Sequence, residues 1–166
     1  MTSSAAVRLP LDLYSPEQLS AIIIELRGHI SALRDASIRA KAMKAEAAAP
    51  AHTSALLLGV LRESAINPTD QPAAEKLLKE LEAIRDKAPA VHLMMAALPN
   101  RELKRKLTDW FRTEVHPYSL LTFATRADIG GGVIVQAGSH VYNWSFREQI
   151  LSHKSRISEI YHSVRQ

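Results

Sequence analysis

The sequence predicts an α+β protein. An all-α helical bundle of about three helices is expected over residues 1–88. A small strand-helix-strand-strand-helix domain is expected over residues 89–166, with residues 139–143 able to return as a further strand. Three observations carry that expectation. Apolar residues in the first half recur at spacings of three and four, the period of a helix with one buried side. The second half alternates short apolar runs with a single charged helical stretch. Pro89 stands where one character gives way to the other.

The first helix opens at Ser15-Pro16-Glu17-Gln18, where a serine N-cap, a proline at the first helical position and a glutamine form a capping box. Leu19, Ile22, Ile23, Leu26, Ile30 and Leu33 follow as one stripe. Beyond Ala36 the stripe thins into an Ala/Lys-rich stretch that Pro50 ends. A second helix is expected over about 53–65, with Leu56, Leu57, Val60 and Leu61 inside. "NPTDQP" breaks the pattern, and a third helix over about 73–86 carries Leu77, Leu78, Leu81 and Ile84 on one side.

After Pro89, "AVHLMMAALP" reads as a buried strand, although Met, Leu and Ala are poor strand formers. Asn100 is the expected cap of the next helix, whose stripe is Leu103, Leu107, Trp110, Phe111 and Val115. His116-Pro117 stops it. Residues 119–126 and 131–138 read as strands, and Gly138-Ser139 as a hairpin turn into 139–143. Ser145 is positioned to cap a last helix through Phe146, Ile150, Ile157, Ile160, Tyr161 and Val164. Trp144 is expected in the turn before it, and Trp110, Phe111 and Tyr161 in the core.

Composition narrows the chemistry. With 166 residues and 46% hydrophobic content, the chain can bury a core, yet no run approaches the ~20 apolar residues of a membrane span. "MTSSAAVRLPLDLY" resembles neither a secretory signal nor a transit peptide, so a cytosolic chain is expected and the Asn143-Trp144-Ser145 sequon is idle. Without cysteine there is no disulfide, thiolate nucleophile or Cys-based metal site. The net charge is +4. Residues 1–89 hold eleven basic and eleven acidic residues and residues 90–166 hold ten and six, so the excess lies in the second half.

Gly130-Gly131-Gly132 invites a phosphate-binding reading, but Val133-Ile134-Val135 continues as strand. No Gly-Lys-Ser/Thr follows, and no helix N-terminus is offered. The glycines are expected to supply positive φ or close approach at a strand entry. The seven histidines form no H-x-x-x-H or H-x-H pair, and no G-x-S-x-G elbow is present. "RELKRK" at 101–106, with basic residues of the last helix, leaves a nucleic-acid-binding module open as an alternative.

Two segments carry a resemblance. "VHLMMAALPNRELKRKLTDWF" and "DIGGGVIVQAGSHVYNWSFREQIL" resemble the C-terminal domain of the delta subunit of F-type ATP synthase, the oligomycin-sensitivity-conferring protein family. That family shows an apolar segment ending in Ala-x-Pro, a charged helix, a strand, an Ile-Gly-Gly step, a strand, a glycine turn and a Ser-x-Arg pair opening the last helix. Gly130 and Gly131 match the glycine pair, Gly138 the turn, Val141 the strand valine, and Ser145 and Arg147 the Ser-x-Arg pair. The resemblance spans roughly residues 90–160, and a weaker one runs to the E-type stator proteins of the archaeal and vacuolar rotary ATPases.

Two departures stand out. Asn143-Trp144 replaces the family's Asp-Gly, so the turn there must differ. The first half lacks the family's opening Arg/Ala-Tyr-Ala motif and three of its six helices.

The resemblance implies a non-catalytic stator subunit without cofactor or metal. It would sit peripherally on the cytoplasmic side of the cell membrane, touching the membrane only through the complex, and would bind no nucleic acid. Its partners would be the N-terminus of the alpha subunit and a b-type peripheral-stalk subunit. Gly130, Gly131, Gly138, Asn143 and Ser145 would shape the turn and cap. Trp144, Arg147, Lys154 and Arg156 would meet the stalk, and Ile22, Ile23, Leu26 and Ile30 the head.

Overall fold

The computed structural model describes residues 7–43, 53–146 and 148. The protein is α+β, with three helices leading into a four-stranded mixed sheet that carries one further helix.

Helix α1 (Pro16–Met43) begins at the capping box read from the sequence. The Ser15 Oγ accepts from Gln18 N at 3.2 Å and the Gln18 Oε1 accepts from Ser15 N at 3.1 Å, so two otherwise orphaned donors are satisfied reciprocally. Helix α2 (Ala55–Glu63) is capped by Ser54, whose Oγ accepts from Leu57 N at 3.1 Å. Helix α3 (Gln71–Lys87) starts two residues earlier than the periodicity indicates, because Asp70 takes the cap and Pro72 fits the first turn. The stripes of the three helices meet in one core, from Leu19, Ile22, Ile23, Leu26 and Ile30 to Leu57, Val60, Leu61, Leu77, Leu81 and Ile84.

Strand β1 (Ala90–Met95) follows α3 after two residues, and helix α4 (Arg101–Glu114) carries the chain to β2 (Leu120–Thr125). The two strands are parallel, and α4 is the crossover such a pair requires. A 3₁₀ turn (Ala127–Ile129) leads to β3 (Gly132–Ala137), and a tight hairpin to β4 (His140–Ser145). The sheet order is β2-β1-β3-β4, with β3 antiparallel to both neighbours. β1 is strand despite its Met and Leu because it is central, hydrogen-bonded on both sides; sheet context outweighs intrinsic preference. Val91, Leu93, Leu121 and Val135 bury against Phe111 of α4 in a second core.

The packing does not divide cleanly at Pro89. Leu120 joins the helical core with Tyr118 beside it, while its neighbour Leu121, pointing to the other face of β2, joins the sheet core.

The α4 stripe is narrower than its spacing implies. Phe111 is buried, but Leu103, Val115 and Trp110 are exposed, Trp110 at 53%. The helix is rolled so that Thr108 is fully buried and Arg112 turns inward, where it donates to the backbone carbonyls of Leu9, Pro10 and Leu13. One guanidinium can serve all three carbonyls, whereas an indole offers a single donor.

Candidate partner-binding surfaces

The glycine step is a corner. The 3₁₀ turn closes at Gly130 (φ 67°), and Gly131 and Gly132 continue at φ 150° and 83° into β3. β4 ends against this corner: Phe146 N donates to Gly131 O at 3.1 Å, and the Phe146 ring occupies the space a Cβ on Gly131 would fill. A Cβ on Gly132 would run into the backbone of Trp144 and Ser145. Asn143 Oδ1 accepts from Ser145 N at 3.1 Å, and Ser145 Oγ accepts from Glu148 N at 3.3 Å, the geometry of a cap. Gly130, Gly131, Asn143 and Ser145 thus meet at one corner, and Gly138 (φ 58°) turns the hairpin at its far end. The glycines lead directly into a strand, not into a helix.

Trp144 is not in a turn. The β3–β4 ladder continues to the Gly132–Ser145 pair, which places Trp144 opposite Val133 and Tyr142 opposite Val135. Directly opposed residues share a face, so both aromatics emerge on the side of the sheet that α4 covers. Trp144 is 56% exposed and stacks on Tyr142, with centroids 5.9 Å apart and planes 21° apart. The Asn143-Trp144 departure is accommodated by extending the strand, since neither residue needs the backbone freedom of glycine there. Arg147, Lys154 and Arg156 lie outside the residues whose side chains are described, as do Ile150, Ile157, Ile160, Tyr161 and Val164 of the expected last helix.

The four isoleucine and leucine positions assigned to the head require correction. Ile22, Ile23, Leu26 and Ile30 are all buried in the chain's own core, where no partner can reach them. An amphipathic stripe shows which side of a helix is buried, not against what. Among the residues of α1 whose burial is described, the large apolar side chains presented outward are Ile24, 69% exposed, and Ile38, 59% exposed. The sequence carries a signal for Ile24: three successive isoleucines cannot all lie on one helix face, and the stripe takes Ile22 and Ile23.

The basic run is engaged within the chain. Arg101 donates to both carboxylate oxygens of Asp12 at 3.1 and 2.9 Å, and Arg105 lies 3.9 Å from the same carboxylate. Lys106 pairs with Glu102 at 2.7 Å. The Lys104 ammonium sits 5.4 Å from the Tyr14 ring centroid and 5.7 Å from that of Phe123. The Arg101 hydrogen bond holds the Asp12 carboxyl below the ordinary aspartate range, with the Coulombic pull of Arg101 and Arg105 in the same direction. Among the described residues no group of three or more His, Asp or Glu is placed to hold a metal ion, and no helix is long and apolar enough to cross a membrane.

No family model matches the chain, and none of the curated proteins matches it.

Proposed function

We propose that the protein is a non-catalytic peripheral-stalk subunit of an F-type ATP synthase, linking the head to a b-type stalk and resisting the torque of the rotor. The observation that carries this reading is the corner at Gly130–Gly132. The residues of the Ile-Gly-Gly step, the hairpin glycine and the Ser-x-Arg serine occupy a strand entry, a β-turn and a helix cap, in the order the resemblance requires.

The exposed surfaces supply a second support. A static link acts through interfaces, and aromatic residues are enriched at interfaces relative to the rest of a protein surface. Trp144 and Tyr142 form such a surface on β4. Trp110 and Leu103 lie on the flank of α4 opposite Arg112, a second apolar contribution on the same side of the sheet. In this reading the stalk meets the sheet half through these residues. The head meets the outer face of α1 through Ile24 and Ile38, in place of the buried isoleucines.

The reading is tested by titrating the purified protein with the C-terminal segment of the b-type subunit from the same cells. Wild type is expected to bind and Trp144→Ala to bind at least tenfold more weakly, the loss of one aromatic anchor. Equal binding by both would remove Trp144 from the interface, and no binding by either would remove the stalk.

A further inference from the structure

Residues 7–14 precede α1 without regular structure of their own, and they touch both cores. On one side Val7 and Leu13 are buried with α1, α2 and α3, Leu9 packs beside them, and the Pro10 ring lies next to Gly59 of α2. On the other side the same residues are bonded to α4 and β2. Arg112 donates to Leu9 O at 2.9 Å, to Pro10 O at 3.0 Å and to Leu13 O. Asp12 takes the paired hydrogen bonds of Arg101. The Tyr14 ring meets Phe123 edge-on at 5.6 Å, and Tyr14 O accepts from Leu121 N at 2.6 Å on the outer edge of β2.

The arrangement is costly to disrupt for a physical reason. Leu9, Pro10 and Leu13 turn three carbonyls toward one side chain, and only a guanidinium offers enough donors in a fixed fork to serve all three. Burial pushes the Arg112 pKa down to about 10, which leaves it protonated at neutral pH. Its Nε is buried without a partner among the described residues; the three carbonyls take its other donors, and the Asp109 charge favours its protonated form. Among the described residues, Leu120 and Tyr118 of the sheet half also reach the helical core.

We infer that residues 7–14 form a clasp that locks the helical half to the sheet half, with Arg112 as its central tie, so that the two halves unfold and carry load as one body. The clasp follows from these contacts whatever each half binds. Because the strap contributes backbone carbonyls at its centre, Arg112 is the side chain whose loss opens it.

The chain carries its own probes for a test on the full-length protein. Its two tryptophans, Trp110 and Trp144, both lie in the sheet half, whereas α1, α2 and α3 supply most of the helix and so most of the far-UV circular dichroism. Urea unfolding of wild type is expected to give coincident curves by fluorescence and by dichroism, the behaviour of a single cooperative unit. Arg112→Met is expected to separate them, with midpoints differing on the order of 1 M urea. Arg112→Lys, which keeps the charge but not the fork, is expected to fall between. Coincident curves in Arg112→Met at the wild-type midpoint, or separate curves in wild type, would overturn the clasp. If Arg112→Met shows no folded baseline, Arg112→Lys decides: its two curves separate if the clasp exists and coincide at the wild-type midpoint if it does not.

Discussion

Replacing Gly132 by alanine separates two costs that the glycine corner combines. Gly130 and Gly132 both have positive φ, 67° and 83°, the first in a turn and the second at the start of β3. Alanine at either position therefore incurs backbone strain, about 1–2 kcal/mol at the left-handed turn position of Gly130. At Gly130 the added methyl has open space around it. At Gly132 it collides with the Trp144 carbonyl and the Ser145 Cα, backbone atoms that move only if the end of the β3–β4 ladder moves. Overpacking of that kind adds about 1–3 kcal/mol. Gly132→Ala is thus expected to cost about twice what Gly130→Ala costs or more, measured as the loss of unfolding free energy in urea at constant m-value. Its fluorescence should also change, because Trp144 stands at the collision. Equal costs for the two variants, or an unchanged Trp144 signal in Gly132→Ala, would refute the claim that close approach of β4, and not the positive φ alone, requires glycine there.

Other outcomes follow from the same geometry. Ile23→Ala should destabilise the protein by about 2–5 kcal/mol by thermal or urea unfolding, as a buried truncation does. Ile24→Ala, at an exposed position on the same helix, should leave the midpoint within experimental scatter while weakening binding of an alpha-subunit N-terminal peptide. Tyr142→Ala should weaken stalk binding together with Trp144→Ala, and by less than the sum of the two single losses because the rings stack on each other. The ion pair of Asp12 stabilises the fold at pH above the ordinary aspartate value, and that contribution is lost as pH falls through the lowered value in the folded state. Wild type should therefore lose more stability on acidification than Asp12→Asn, as read by parallel thermal melts; identical pH profiles would show that the pair contributes nothing.

Local chemistry is what the sequence makes legible. Ser15 with Gln18, and Asn100 ahead of its helix, act as caps through bonds three residues long, so spacing alone suffices to find them. Gly138 at the hairpin and Gly130–Gly132 at the strand entry are legible for the same reason: their backbone angles are a property of the residue itself. Features that depend on distant partners are not legible. Nothing local singles out Arg112, because the carbonyls it serves lie about a hundred positions earlier, at Leu9, Pro10 and Leu13. Its inward turn is what rolls Trp110 out of the core. Ile22, Ile23, Leu26 and Ile30 are recognisable as a buried stripe, but periodicity cannot distinguish a partner's surface from α3, and in this chain the covering surface is its own. Reading Ser145 as a helix cap puts Trp144 in the turn before it, whereas pairing with Val133 keeps it in β4.

The most direct test of the stator reading is to purify the tagged full-length protein from gently solubilised membranes and identify the chains that come with it by mass spectrometry. Alpha, beta and b-type subunits recovered in stoichiometric ratio, and lost together in a Trp144→Ala/Ile24→Ala variant that still folds, are the expected result. A clean preparation without them, from membranes in which the ATP synthase is intact, would contradict the account.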